Sequence, residues 1–181
     1  MKKTINLFIL VACTGLVQAQ EIAKNDSLDK KYLNRVVSID ATVKTLYEVI
    51  SGEKGEERNW ELLRYLFHPK AQMIASGKNR EGKIGIRYTT TDGYIERSGK
   101  WLVEHGFFEE ELHRTTEEFG HMAQVFSTYQ AFHGKSDLEP FMRGINSLQL
   151  LNDGHRWWVV NIYWAQETPG NPIPERYLPE E

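Results

Sequence analysis

The segment RGINSLQLLNDGHRWWVVNIYW, residues 143–164, constrains the fold more than any other part of this chain. Two runs of strand-forming residues flank a turn at 152–154 (Asn-Asp-Gly), where glycine supplies the positive φ of a hairpin turn. The second run, residues 156–166, is apolar at both alternating sets of positions. An antiparallel strand usually has one apolar face and one polar face. This strand therefore requires packing on both of its sides.

Strict alternation along that run assigns its side chains to two faces. One face carries Trp158, Val160, Ile162 and Trp164, and the other carries Trp157, Val159, Asn161 and Tyr163. A strongly bent sheet packs its concave face on helices, and its other face then needs a separate cover. The simplest cover is a second copy of the chain, so we expect a homodimer.

Helical periodicity predicts three helices in the first half of the chain. The first covers residues 38–51, with Ser38 as its N-cap and Gly52 after its end. The second is short, begins at the cap Asn59 and ends before His68-Pro69, because a residue that precedes proline disfavours helical angles. The third runs from residue 91 or 92 to 104, with its inward side chains at Tyr94, Ile95, Trp101 and Leu102.

The remaining pattern predicts strands. Two short strands are expected at 71–75 and 84–88, separated by a loop over 77–85. Four long strands follow, at 107–116, 121–132, 142–151 and 156–166. Helices followed by an antiparallel meander predict an α+β fold, in which the three N-terminal helices pack in the concave face of a strongly curved, mainly antiparallel sheet.

The N-terminus has the pattern of an export signal. Two lysines precede an apolar stretch over residues 5–17 that is too short to span a bilayer, and Val17-Gln18-Ala19 fits cleavage after Ala19. The sequence around Cys13 also fits a lipid-modified cysteine, so a membrane-tethered lipoprotein is the alternative. We expect a signal peptide at 1–19, an exposed leader at 20–36, one domain at 37–168 and an extended proline-rich tail at 169–181.

Composition limits the function classes. The net charge is -3 and no long basic run follows the N-terminus, so we expect no nucleic-acid partner. Cys13 is the single cysteine. Cleavage after Ala19 would leave no disulfide, thiol nucleophile or cysteine-ligated metal. We expect no membrane-spanning segment, no cofactor and no metal site.

Four segments carry a resemblance to a known family: SIDATVKTLYEVISG, RNWELLRYLFHPKAQMI, FGHMAQVFSTYQAF and the tryptophan-rich hairpin. Over about residues 37–167 the chain resembles the nuclear transport factor 2-like superfamily, in particular its SnoaL-like and ketosteroid-isomerase-like bacterial branch. The resemblance implies a cone-shaped α+β barrel with a pocket at its open end. Members include isomerases, hydrolases, dehydratases and domains without known catalysis, so the fold alone does not fix the function.

The resemblance can be carried over at two positions. The isomerase branch has an oxyanion-donating tyrosine in its first helix, and Tyr47 lies close to that place. It also has an aspartate base just after the second helix, where this chain has His68-Pro69-Lys70. Without that carboxylate, α-proton abstraction lacks its main base.

The densest group of ionisable residues is Glu109, Glu111 and His113, at positions i, i+2 and i+4 of one predicted strand. Alternation predicts that they share a face, which on the concave side would place two carboxylates and an imidazole inside the cone. Same-face positions recur about every 6.5–7 Å, which is too far apart for one metal ion. A solvated strand face remains the alternative interpretation.

Three functions agree with these patterns. The first is an exported domain that binds a small apolar molecule of the polyketide or steroid kind, without an assigned reaction. The ligand-binding residues would be Trp60, His68, Tyr129, Asn146, Trp157 and Asn161. The second is an isomerase, hydrolase or dehydratase that uses Glu111 or His113 as acid or base and Tyr47 as a polarising donor. The third is a dimerisation or interaction module whose pocket is filled by its own side chains.

Overall fold

The computed structural model describes residues 26–180, which divide into two compact units at Asn34/Arg35. Residues 26–32 of the first unit are helical (α1), and the 3-10 turn Leu33–Arg35 that follows ends at the first residue of the second unit. The predicted signal peptide, its cleavage site after Ala19 and Cys13 lie outside the described residues. Within the part that is described, no helix combines the length and apolar character needed to cross a membrane.

Three helices of the second unit correspond to the three predicted ones: α2 Ile39–Ile50, α3 Trp60–Leu66 and α4 Thr91–His105. Each begins at a side-chain cap. Ser38 accepts a hydrogen bond from the backbone of Ala41, Asn59 from Leu62, and Thr90 from Gly93. Gly106, at φ 73°, ends α4 in a conformation that favours glycine.

The six strands are β1 Phe67–Lys78, β2 Ile84–Thr89, β3 Phe108–Phe119, β4 Met122–Phe132, β5 Met142–Asn152 and β6 Trp157–Gln166. They form one open sheet in the order β2-β1-β6-β5-β4-β3. The β1–β6 pair is parallel and all other pairs are antiparallel. The α+β prediction is confirmed. The sheet differs from a closed barrel because β2 and β3 are free edges, and β1 is longer than the predicted short strand.

The core lies between the helices and the inner face of the sheet. Val43 of α2, Leu63 of α3 and Leu148 of β5 are among its fully buried side chains. Arg58 joins the helix ends, since its guanidinium donates to the carbonyls of Gly52 at 2.7 Å and Leu102 at 2.9 Å. Burial of the apolar side chains supplies the main stabilisation, at about 1.5–3 kcal/mol each.

Two β-bulges overturn the predicted assignment of faces. In β3 Glu111 is opposite Tyr129 and His113 is opposite Thr128, so Leu112 is an extra residue. A bulge of this kind shifts every following side chain to the other face. The prediction that Glu111 and His113 share a face is therefore wrong.

In β6 the extra residue is Val160, between Val159 opposite Leu150 and Asn161 opposite Gln149. Both predicted faces are split as a result. The inner face carries Trp157, Val159, Ile162 and Trp164, and the outer face carries Trp158, Asn161 and Tyr163.

The proline-rich tail covers part of the outer face of the sheet. The ring of Tyr177 lies 4.9 Å from that of Phe126, and Thr128 Oγ1 donates to the Tyr177 carbonyl at 2.6 Å. The backbone N–H of Ile173 donates to Glu167 Oε1 at 2.9 Å. The chain thus supplies some of the cover that the sequence assigned to a second copy.

Candidate functional site

A cavity of about 200 Å³ lies between the helices and the inner face of the sheet. Most of its lining is apolar or aromatic, with contributions from α2, α3, α4 and five of the strands. The lining residues are Leu46, Ile50, Leu63, Met73, Tyr94, Ser98, Trp101, Leu102, Phe107, Glu109, Tyr129, Met142, Asn146, Ile162, Trp164 and Gln166. Apolar walls with a few polar groups are typical of a small-molecule site.

Glu109 is the single acidic residue in that lining. Its Oε1 accepts a hydrogen bond from Asn146 Nδ2 at 3.1 Å. Its backbone is held as well, because its N–H donates to Ser51 Oγ at 3.0 Å and Ser51 in turn donates to the Tyr47 carbonyl at 2.7 Å. The last turn of α2 therefore fixes the start of β3 beside the cavity.

Burial raises the pKa of Glu109 from 4.5 to about 7, against a smaller lowering by the Asn146 hydrogen bond. Among residues 26–180, Glu109 forms no ion pair. Burial also raises the pKa values of Tyr94 and Tyr129, with a second contribution from the charge of Glu109. Near neutral pH this carboxyl can both accept and donate a proton.

A chain of hydrogen bonds runs from Asn146 to a second carboxylate behind the cavity wall. Asn146 Nδ2 also donates to Tyr47 Oη at 3.3 Å, and Tyr47 Oη is 2.6 Å from Ser127 Oγ. Ser127 donates to Glu111 Oε1. Because the Ser127 proton is directed to Glu111, Tyr47 is the donor to Ser127, and every member of the chain is satisfied.

Glu111 has a different electrostatic environment from Glu109. Arg114 Nη2 lies 3.0 Å from Glu111 Oε2, and Arg114 Nη1 lies 2.9 Å from Asp40 Oδ1. The bulge at Leu112 turns Arg114 to the inner side, where it pairs with Ser127 in the sheet register. Glu111 is therefore ion-paired and hydrogen-bonded behind the cavity wall, and it does not line the cavity.

Of the six residues predicted to bind ligand, Tyr129 and Asn146 line the cavity. Gly144, opposite Tyr129, leaves space for the phenol, since a Cβ at Gly144 would lie 2.6 Å from Tyr129 Oη. Asn161 lies on the outer face because of the bulge at Val160. The predicted place of Asn161 in the pocket is therefore wrong.

The other predicted residues also lie away from the cavity lining. Trp157 is buried at the start of β6, where its backbone N–H donates to the Val36 carbonyl at 2.8 Å. Trp60 packs against Gly99 of α4. His68 contacts Trp158 edge-on with the ring centres 5.8 Å apart. His113 lies on the outer face with Thr128, and Tyr47 lies one hydrogen bond behind Asn146.

The sequence pattern already indicated several cavity-lining residues that were not among the predicted ligand-binding residues. Tyr94 and Trp101 are seven residues apart on α4, and both were expected to point inward. Glu109 belonged to the predicted acidic group, but the sequence could not distinguish it from Glu111. The structure distinguishes them, because Glu109 lines the cavity and Glu111 does not. Within residues 26–180, no group of three or more His, Cys, Asp or Glu side chains has the geometry of a metal site.

Sequence comparison finds no matching family model and no matching curated protein. Solved structures do match. An NTF-2-like protein of unknown function from Silicibacter pomeroyi is 18% identical, with 71% of this chain and 92% of that chain covered and a TM-score of 0.50. A protein of unknown function with a cystatin-like fold from Nostoc punctiforme is 10% identical, with 72% and 90% covered and a TM-score of 0.55.

A third match is a proposed ketosteroid isomerase from Parabacteroides distasonis. It is 6% identical, covers 75% of this chain and 98% of its own length, and has a TM-score of 0.51. At these identities the similarity concerns the arrangement of helices and strands. It leaves the chemistry of the cavity to be argued from the residues that line it.

Proposed function

Since this chain has the nuclear transport factor 2-like fold predicted from its sequence, we propose that it binds a small molecule in the cavity of the cone. The observation that carries the proposal is the cavity itself, about 200 Å³ in volume and lined mainly by apolar and aromatic side chains. An unfilled cavity of this kind supports ligand binding over a module whose pocket is filled by its own residues. Glu109 and Asn146 would orient the ligand, and the aromatic rings would supply the contact area.

A bulky side chain at the cavity wall tests this proposal. Ser98 is half-buried on α4 and lines the cavity, so Ser98→Phe would occupy ligand space. The matched control is Glu96→Phe, which adds the same ring at an exposed position of the same helix. Thermal unfolding would be followed with a panel of neutral, anionic and cationic small molecules. We expect at least one compound to stabilise the wild type and Glu96→Phe but not Ser98→Phe. Equal stabilisation of all three proteins would contradict binding in this cavity.

A second candidate function is general acid–base catalysis on the bound molecule. The observation that favours it is the pKa of Glu109, which burial raises to about 7 at the cavity wall. Glu109 would then take the acid or base role that the sequence assigned to Glu111 or His113. Asn146 orients the Glu109 carboxyl through its hydrogen bond. Tyr47 acts through Asn146 as a positioning residue.

Proton exchange provides a direct assay of this second candidate. Small ketones would be incubated with the protein in D₂O, and loss of the α-proton signal would be followed by NMR. We expect catalysed exchange that rises with pH through about 7 and is lost in Glu109→Gln. Exchange that persists in Glu109→Gln, or its absence from the wild type over a range of ketones, would contradict this candidate.

We also propose a homodimer through the uncovered part of the outer sheet face. Ile86, Tyr88 and Tyr163 leave 55%, 62% and 42% of their surface exposed. The register places them on the same side, because Tyr88 is opposite Ile74 and Ile74 is opposite Tyr163. An apolar band beside the tail-covered region supports a second copy as the remaining cover.

Export through residues 1–19 remains a proposal. Its support is the charged start, the short apolar stretch and the small residues before Gln20. Mass spectrometry of the protein from its native cells would give the mature N-terminus. Cleavage after Ala19 is expected, a lipid on Cys13 would support the lipoprotein alternative, and an intact Met1–Lys3 segment would contradict both.

A further inference from the structure

Aromatic rings form much of the cavity wall. Tyr94 and Trp101 come from α4, Phe107 precedes β3, Tyr129 lies in β4 and Trp164 in β6. Two neighbouring pairs meet at steep angles. The Tyr94 and Trp164 rings are 6.5 Å apart at 87°, and the Trp101 and Phe107 rings are 6.3 Å apart at 65°. Walls set at such angles enclose a volume on several sides, as in the aromatic cages that hold organic cations.

The Glu109 carboxyl at this wall forms no ion pair within the described part of the chain. The ionisable groups of the wall whose charge couples to it are Tyr47, Tyr94 and Tyr129, all neutral near pH 7. Glu111 lies behind the wall, already paired with Arg114.

Glu109 also borders a second cleft, whose lining contains five carboxylates and one lysine. The charged residues of that cleft are Glu48, Glu56, Glu109, Glu110, Lys135 and Asp137. Glu48 is paired with Arg35 and Lys44. The four other carboxylates of the cleft still outnumber Lys135, and their charge favours the approach of a positive ligand.

We propose that the ligand is a small organic cation, an amine or quaternary ammonium compound, whose charged group lies among the aromatic rings and opposite the Glu109 carboxylate. The inference rests on the proposed function, since it names the chemical class of the molecule that the cavity binds. It differs from the apolar polyketide or steroid expected from the sequence. With a neutral ligand the Glu109 carboxylate would keep its Asn146 hydrogen bond but gain no opposite charge, whereas a cation supplies both that charge and the cation–π contacts.

Choline and its neutral carbon analogue 3,3-dimethylbutan-1-ol separate charge from shape, because they have nearly the same size and the same hydroxyl. Isothermal titration calorimetry would compare the two at pH 8. We expect choline to bind the wild type about tenfold or more tightly than the alcohol. Equal or weaker binding of choline would overturn the cation inference while leaving the cavity as a binding site.

Two variants assign the preference to the site. Glu109→Gln should remove most of the preference for choline and leave the affinity for the alcohol within about twofold. Glu117→Gln removes the same charge from an exposed position of the same strand, away from both the cavity and the cleft, and should change neither. Tyr94→Leu should weaken choline severalfold more than the alcohol. A preference that survives Glu109→Gln and Tyr94→Leu, both checked for folding by circular dichroism, would contradict the assignment.

Ligand binding in the cavity and the cationic nature of the ligand can be contradicted separately. If neither probe binds but a neutral apolar compound stabilises the wild type and not Ser98→Phe, the cation inference is wrong and the proposed function stands. If no compound of any charge class shows that difference, both are contradicted.

Discussion

Glu109 and Glu111 lie two residues apart on the inner side of the same strand, yet of the two only Glu111 has a cationic partner among residues 26–180. Arg114 Nη2 is 3.0 Å from Glu111 Oε2, while Glu109 Oε1 accepts a hydrogen bond from Asn146 Nδ2 at 3.1 Å. The extra residue Leu112 produces the difference, because it turns Arg114 inward beside Glu111 and His113 outward. Glu111 is thereby held behind the cavity wall, whereas Glu109 lines the cavity and has no opposite charge paired with it in the described part of the chain.

The raised pKa of Glu109 predicts a specific pH dependence of stability. Its pKa is about 7 in the folded chain and about 4.5 when unfolded, so between these values the folded state binds more protons. Its contribution to the free energy of unfolding therefore falls as pH rises from about 4.5 to 7. Glu109→Gln should be more stable than wild type at pH 8, by about 1–3 kcal/mol, and the difference should shrink towards zero near pH 4.5.

Urea unfolding at several pH values measures that difference. Glu110→Gln is the control, because Glu110 is exposed on the opposite side of the strand and hydrogen-bonds Gln130. It should show little pH-dependent difference from wild type. A Glu109→Gln variant that is less stable than wild type at pH 8 would refute the assigned environment of this carboxyl.

The buried hydrogen-bond chain predicts a cost for removing one hydroxyl. Tyr47→Phe deletes the link between Asn146 and Ser127, and both remain buried. We expect a loss of about 1–3 kcal/mol in the free energy of unfolding. Tyr88→Phe removes a hydroxyl from an exposed ring and should change stability by less than about 0.5 kcal/mol. Equal effects of the two substitutions in urea denaturation would show that the buried hydrogen bonds of Tyr47 contribute nothing to stability.

The tail predicts a local contribution to stability on the outer face. Tyr177 packs on Phe126, and its carbonyl accepts from Thr128. Tyr177→Ala should lower the free energy of unfolding by about 1–3 kcal/mol through lost aromatic packing. Leu178→Ala, one residue further along, is the comparison for a general effect of truncating tail side chains. No loss in Tyr177→Ala would mean that the tail is not anchored at this residue.

The exposed apolar band predicts an oligomeric state. Light scattering after size-exclusion chromatography should give the mass of a dimer for the wild type. Tyr88→Glu should shift the protein to a monomer, because it places a charge in the proposed interface. Leu138→Glu adds the same charge at a loop residue that is 93% exposed, and it should remain dimeric. A monomeric wild type at micromolar concentration, or a dimer that tolerates Tyr88→Glu, would contradict the interface.

The parts of the fold that depend on local chemistry could be predicted from the sequence. Ser38 and Asn59 cap their helices as expected, because capping depends on residues only three positions apart. The four long strands also follow local alternation. The bulges at Leu112 and Val160 could not be predicted, because they are defined by the register with a neighbouring strand. Each bulge exchanged the two faces of half a strand, which moved His113 and Asn161 away from their predicted places.

Ligand binding in the cavity beside Glu109 can be measured by native mass spectrometry of the protein purified from its own cells, with Ser98→Phe and Glu96→Phe expressed in the same host. We expect an added ligand mass on the wild type and on Glu96→Phe that is absent from Ser98→Phe. A ligand mass retained equally by Ser98→Phe, or a wild type that carries no added mass and is stabilised by no compound of the panel, would contradict ligand binding in this cavity.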